Sequence, residues 1–537
     1  MNKYNFAFIQ HLLLLLCLIG GGTSFADTDD FTAKVEALNS GGFNDKIAAA
    51  EQLAADDYPR APLILQALLD GNLYERKADG ALVLATETES GYRLYDAVTG
   101  DELGEVGSRD VKKIRTNNSL RSNLRELLAL IRVSDSDKSV RLAAATELVG
   151  NLNDKSVEKI RARLELEPDE EVLSLLKSAV AIVDLQSEDE QTVAAAITEL
   201  SGNIHPQVRA ALQATEAAYS GTALGKQVRT ALDSIQARLD FYSFLETLFF
   251  GLSLGSILAL AAIGLAITFG VMGVINMAHG ELMMLGAYTT YAIQVLMPNH
   301  IEISLLLAVP LAFLVSGSVG ILIERGVIRF LYGRPLETLL ATFGISLILQ
   351  QVVRTFVSAQ NVAVVTPEWL SGSWQINSVL SLTYNRLYIF IFALLVFLAL
   401  FMLLKYTMLG LQLRAVAQNR SIAKAVGIRS EWIDAMTFGL GSGIAGIAGV
   451  ALSQLTNVGP NLGQGYIIDS FMVVVFGGVG NLIGTLVSGL TLGIANKFLE
   501  PVSGAVLAKI LVLVFIILFI QKRPRGLFPQ KGRAADN

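Results

Sequence analysis

Apolar and polar positions divide this chain into two halves with different periodicities. From residue 27 to 240 apolar residues return every three or four positions between Asp, Glu, Lys and Arg, the signature of amphipathic helices with one wet face. From 243 onward the apolar positions merge into runs of about 20 residues, long enough to cross a bilayer at 1.5 Å per residue. These runs predict spans at 243–269, 274–297, 303–323, 337–357, 387–404, 432–456 and 504–520. Residues 467–499 are too long for one span and break at Gly477-Gly-Val-Gly-Asn-Leu-Ile-Gly484, which predicts two short helices or one span plus a re-entrant piece. The expected class is all-α: a polytopic helical membrane domain of about seven to nine spans, 241–537, preceded by a mainly helical soluble domain, 27–240.

The soluble half carries a weak internal repeat. Thr146-Glu-Leu-Val-Gly-Asn151 recurs as Thr198-Glu-Leu-Ser-Gly-Asn203, each after an alanine run and before a second amphipathic stretch. Related words at Ile47 to Leu53 and Gln227 to Leu232 make a short HEAT-like solenoid the expectation, in which each helical hairpin buries its apolar face against the next. Between Ala81 and Val106 the period shortens to two around a Val98-Thr-Gly-Asp101 turn, which predicts a β-hairpin. Such a domain either binds another protein on its concave face or acts as a tethered spacer.

Charge and composition refine this picture. The mean hydropathy of +0.50 averages over the two halves, and the net charge of −6 argues against a nucleic-acid partner. Lys3, the apolar stretch Leu12 to Ile19 and Ser24-Phe-Ala26 form an export signal with cleavage expected after Ala26; an uncleaved anchor is the alternative. The sole cysteine, Cys17, falls inside that signal, so disulfides and cysteine metal sites are not expected in the mature chain. Basic residues cluster in alternate connections: Arg325, Arg329 and Arg334; Lys405, Arg414, Arg420, Lys424 and Arg429; then Lys522, Arg523, Arg525, Lys531 and Arg533. The opposite loops hold Arg386. The positive-inside rule then places the N-terminal half outside and the C-terminus in the cytoplasm. That requires an odd number of crossings, nine if 467–499 spans twice and seven if it is wholly re-entrant.

Polar groups inside apolar runs are the candidate chemistry. Asn276, His279 and Glu281 would each be costly against lipid, so they must face protein, water or a substrate path, and Asp469 and Asn481 join them as path candidates. In a regular helix Asn276 and His279 share a face while Glu281 points elsewhere, unless Gly280 breaks the helix. Gly439, Gly443, Gly446 and Gly449 recur at threes and fours, a pattern for backbone-to-backbone helix packing. Gly441-Ser-Gly-Ile-Ala-Gly446 mimics a dinucleotide fingerprint without a preceding strand, and Gly251-Leu-Ser-Leu-Gly255 mimics a nucleophile elbow inside a span; both are rejected. The four histidines show no metal-ligand spacing, and no cofactor motif is read.

The word Asn276-Met-Ala-His-Gly-Glu281 resembles the start of the permeases of branched-chain amino acid type ABC importers, and the similarity runs over roughly 241–530. The segment 411–428 resembles the coupling loop of that family. By that resemblance Arg414, Ala415, Ala423, Gly427 and Ile428 form the docking helix and its glycine exit, seated on an ATPase. Because Gly221-Thr-Ala-Leu-Gly-Lys226 falls one residue short of a phosphate loop, the motor belongs to other subunits. The resemblance implies a transport subunit rather than an enzyme. Its partners would be a second related permease, two ABC ATPases, a periplasmic substrate-binding protein and the inner-membrane lipid. A signal peptide plus a large exported helical domain is most similar to the urea permeases of this family, with branched-chain amino acids or short amides as the alternative cargo. A membrane-anchored helical-repeat scaffold is the alternative of a different class.

Overall fold

The computed structural model describes residues 25–56, 58–88 and 91–529. The expected export signal falls almost wholly outside the described residues. Only Phe25 and Ala26 of its cleavage word are described, at the start of the first helix. The chain divides into two compact units between Arg238 and Leu239.

In the first unit, helices α1 (Phe25–Ala37), α2 (Phe43–Ala55) and α3 (Ala61–Asp70) lead into five strands: β1 (Leu73–Arg76), β2 (Leu82–Thr88), β3 (Gly91–Asp96), β4 (Glu102–Val106) and β5 (Val111–Lys113). The expected hairpin is thus part of a five-stranded antiparallel sheet in the order β4-β3-β2-β1-β5, with Leu73 opposite Leu84. Its outer members escaped the sequence reading because β1 and β5 are too short and too charged to show a period of two. Six helices follow: α4 (Asn118–Arg132), α5 (Lys138–Leu148), α6 (Val157–Leu164), α7 (Glu170–Asp184), α8 (Glu190–Leu200) and α9 (Pro206–Ala218). Side chains of Asn117, Asp137, Asp169, Asp189 and His205 cap the free N–H groups at five of these starts.

The two repeat words adopt one geometry. Thr146 and Thr198 each donate to the carbonyl four residues back, and Gly150 and Gly202 both take positive φ at the helix exit. Between the two, Glu167 accepts from Arg141 and Arg163, and its side chain is fully buried.

Helix α10 (Ala223–Met272) runs through the composition change near Asp240 without a break. The second unit continues with α11 (His279–Leu296), α12 (Ile301–Gly326), α13 (Pro335–Phe356), α14 (Tyr384–Tyr406), the short pair α15 (Met408–Gln418) and α16 (Arg420–Ala425), then α17 (Ser430–Ser453), α18 (Gln464–Gly477), α19 (Leu482–Ser503) and α20 (Ala505–Lys522). A small hairpin, β6 (Ser373–Gln375) with β7 (Ser381–Thr383), lies between α13 and α14.

Among the described residues, seven helices are long and apolar enough to cross a membrane: α10, α12, α13, α14, α17, α19 and α20. The expected span at 274–297 is shorter, because residues 273–278 are not helical and α11 starts only at His279. The long stretch 467–499 resolves into two helices, α18 and α19, joined at Gly478–Gly480. With 14 residues, α18 is about 21 Å long at 1.5 Å each, short of a ~30 Å hydrocarbon layer. Arg354, Lys497 and Lys509 lie within α13, α19 and α20.

Candidate functional site

The centre of the second unit is a block of three helices whose backbones touch. Gly439, Gly443 and Gly446 of α17 lie against Ile321, Phe313 and Ala312 of α12, while Gly449 meets Met283 and Ala287 of α11. A Cβ at Gly446 would stand 2.6 Å from the carbonyl oxygen of Ala312 and from Oγ of Ser316, closer than any real side chain tolerates. The nucleophile-elbow mimic has the same explanation: Gly251 and Gly255 are where α10 meets Ile494 and Leu490 of α19.

The path candidates are placed by the non-helical stretch before α11. Oδ1 of Asn276 accepts from the Ala278 amide at 3.0 Å, closing a local turn immediately before the helix starts at His279. The break therefore precedes His279 rather than falling at Gly280, which instead packs against Gly463. His279 and Glu281 then diverge, as a helix requires. His279 Nε2 donates to the Ala261 carbonyl of α10 at 2.8 Å, and Glu281 Oε1 accepts from Gln350 Nε2 of α13 at 2.7 Å. All three are buried, with Nδ2 of Asn276 and Nδ1 of His279 lacking a hydrogen-bond partner.

Gln350 belongs to a feature missed in the sequence. Thr338, Thr342, Ser346 and Gln350 recur every four residues along α13, and all are buried. Thr342 Oγ1 accepts from the Met277 amide at 3.1 Å and Gln350 reaches both Glu281 and Ser346, so this polar stripe lies along the 275–281 segment as a seam. The signal was present: four polar residues at helical spacing inside an apolar run.

Asp469 and Asn481 stand apart from that seam. Asp469 pairs with Lys509 of α20 at 3.1 Å, and Asn481 caps α19 through the Gly484 amide while donating to the Phe528 carbonyl at 3.2 Å. Among the described residues, neither bonds to 276–281. Asn481 instead shares a cavity of about 690 Å³ with Gly270, Lys405, Arg414 and Gln418, so the structure brings one expected path residue beside one expected coupling residue.

The segment resembling the coupling loop is two short helices, not one. Asn419 separates them and accepts from the Ile422 amide. Arg414 is exposed and donates to the Leu404 carbonyl; Ala415 and Ile428 are half-buried. Ala423 faces inward, packed with Leu413, Val416 and Ile433, while Ile422 and Val426 are exposed. Gly427 has φ of 91°, its amide bonds the Lys424 carbonyl, and that of Ile428 reaches Ala423. This paired closure requires a left-handed residue at the exit, which glycine alone adopts freely.

The family described as "Branched-chain amino acid transport system / permease component" matches residues 247–520. Among curated proteins, the high-affinity branched-chain amino acid transport system permease protein LivH of Escherichia coli (strain K12) is 32% identical over 298 residues, 54% of this chain and 96% of its own length. BraD of Pseudomonas aeruginosa, with the same description, is 31% identical over 297 residues, again 54% and 96%. The ribose import permease protein RbsC of Escherichia coli (strain K12) is 30% identical over 130 residues, 23% of this chain and 40% of its own length. No solved structure matches. An anchored scaffold would have no reason to match along its membrane half, and the relatives are transport subunits rather than enzymes. With its glycine-packed helices, buried polar seam and matched residues 247–520, the chain belongs to the branched-chain amino acid transport permease family, the permease components of ABC importers.

Proposed function

We propose that this chain is the permease subunit of an ATP-driven importer for urea. The observation that carries the reading is the seam of Asn276, Thr342, Ser346, Gln350 and Glu281, which contains neutral donors and acceptors and one carboxylate already bonded to an amide. Urea offers four N–H donors and one carbonyl acceptor, so aligned hydroxyls and amides suffice for it. An amino-acid zwitterion would need a compensating charge for each ionised group, and these five side chains include no cation. A second support is the first unit. LivH and BraD are covered over 96% of their length by 54% of this chain, and the family match, 247–520, lies outside residues 27–240. The competing cargo, branched-chain amino acids, is favoured by what the relatives' names say of those proteins.

In this reading residues 27–240 form an exported unit and the C-terminus is cytoplasmic. The remaining subunits are a second permease, two ATPases and a soluble binding protein outside. Residues 408–428 dock on an ATPase through Arg414, Ile422, Val426 and the Gly427 turn. Vesicles carrying all partner subunits, assayed with labelled urea and labelled leucine, test the cargo: urea uptake is expected, and uptake of leucine without urea overturns it.

A further inference from the structure

Where α16 meets the membrane helices, two buried carboxylates, Glu324 and Asp434, lie near Arg420, with Arg325, Arg329 and Lys424 as more exposed cations around them. Arg420, the first residue of α16, forms an ion pair with Asp434 of α17, and its guanidinium stacks 3.8 Å over the ring of Tyr332. Asp434 is only 2% exposed. Even so, Oδ1 of Asp434 and Nη1 of Arg420 are buried without a hydrogen-bond partner. A second carboxylate, Glu324 near the end of α12, is equally buried; it lies one turn beyond Gly320, which packs against Phe438 and Ser442 of α17, and its charged neighbours are Arg325, Asp434, Arg329 and Arg420. Its Oε2 makes no hydrogen bond, and the nearest cation, Nε of Arg325, is 3.7 Å away on a side chain that is one-third exposed.

A buried carboxylate oxygen and a buried guanidinium N–H left unpaired side by side are costly in a single static arrangement. They are reasonable in a pair of arrangements. Glu324 and Asp434 are fixed relative to each other, because α12 and α17 interlock through Gly439, Gly443 and Gly446 and cannot slide. Arg420 sits on a six-residue helix bounded by the Asn419 cap and the Gly427 turn, both suited to absorbing a change of angle.

We propose that Arg420 is a two-position latch. In this structure it holds Asp434, and when the segment 408–428 is displaced it passes to Glu324, so that the α11–α12–α17 block registers two positions of the segment. Arg420, Glu324 and Asp434 are then positioning residues for transport, acting through the helix block and not on the cargo. The inference rests on the reading of 408–428 as the ATPase-coupling segment.

Two cysteine pairs in a Cys17→Ser background test it in the assembled complex: Arg420→Cys with Asp434→Cys, and Arg420→Cys with Glu324→Cys. The latch predicts that a short cross-linker joins the first pair in the nucleotide-free state and that the second pair gains at least threefold in the ATP-trapped state. Equal yields of the second pair in both states overturn it. In cysteine-free chains, Glu324→Gln is expected to co-purify with the ATPases yet lose about tenfold in uptake, and unchanged uptake overturns the second position. Val426→Cys separates the premises. No cross-link from it to the ATPase overturns the coupling reading and the latch together, whereas that cross-link combined with a state-independent second pair overturns the latch alone.

Discussion

Helices α14 and α17 are of nearly equal length and occupy opposite environments. The more apolar of the two is the more exposed: 17% of the apolar window of α14 is buried, against 83% for α17, about half of which is Gly, Ala, Ser and Thr. In water this order would be inverted. In a bilayer the solvent is itself apolar, so a large aliphatic side chain gains nothing by turning inward, and association falls to close van der Waals contact between small residues. For this pair, hydropathy marks the exposed helix and glycine spacing the buried one.

The sharpest way to break this comparison is a pair of substitutions. Gly446→Leu drives a side chain into Ala312 and Ser316 of α12 and is expected to reduce the yield of monodisperse permease at least tenfold, whereas Leu395→Ala on the exposed face of α14 leaves it within twofold. Gel filtration of the solubilised protein reads both, and equal losses would mean that α14 also packs. The first unit, which follows the ordinary water-solvent rule, is expected to respond next most strongly. Glu167→Gln leaves Arg141 and Arg163 without their shared carboxylate and is expected to cost about 3 kcal/mol, seen as a lowered unfolding midpoint of that unit by circular dichroism.

A smaller effect separates backbone from packing. Gly427 has φ of 91° with open space where a Cβ would lie, so Gly427→Val is strained by conformation alone, by roughly 1–3 kcal/mol. It is expected to insert normally and to lower substrate-stimulated ATP hydrolysis by the complex; unchanged stimulation removes the turn from coupling. At the seam, Asn276→Leu and Glu281→Leu are each expected to reduce uptake about tenfold, about 1.4 kcal/mol, with assembly intact. Normal uptake by both would take these residues off the path.

The smallest expected effect is a pH dependence confined to the first unit. Burial lowers the pKa of His205, whose Nδ1 accepts from the Gln207 amide at the start of α9. The folded state then holds its proton less tightly than the unfolded chain. The stabilisation is complete above the ordinary value of 6.5 and is lost as pH falls through the lowered folded value. Wild type is expected to lose up to about 2 °C in Tm between pH 7 and pH 5 relative to His205→Gln. Parallel curves for the two proteins would exclude the cap.

Much of this architecture was legible in the chain because each signal had a local cause. The turn at Gly427, the break at 477–484 and the packing glycines follow from rules that act within a few residues. What escaped were pairings across sequence. Glu281 read as a lone carboxylate because its partner, Gln350, lies on another helix, although the four-residue stripe through Thr338 marked that face. Ala423 was read as a docking residue and is buried, since a six-residue helix gives periodicity too little length to assign faces. Asn481 was read as a path residue from its polarity, where its position just before an apolar run also fits a helix cap.

The break between α18 and α19 has one more partner. The amides of Leu527 and Phe528 donate to the carbonyls of Phe476 and Gly477, and Phe528 in turn accepts from Asn481. Residues past the end of α20 thus supply the donors that the broken segment lacks, and they leave the ribosome well after it. During synthesis the two carbonyls must wait, bonded to water or to the insertion machinery, until α20 has entered and its tail folds back. The central break is therefore among the last parts of the membrane unit to close, and a truncation at Lys522 would strand it open even though every helix had been inserted.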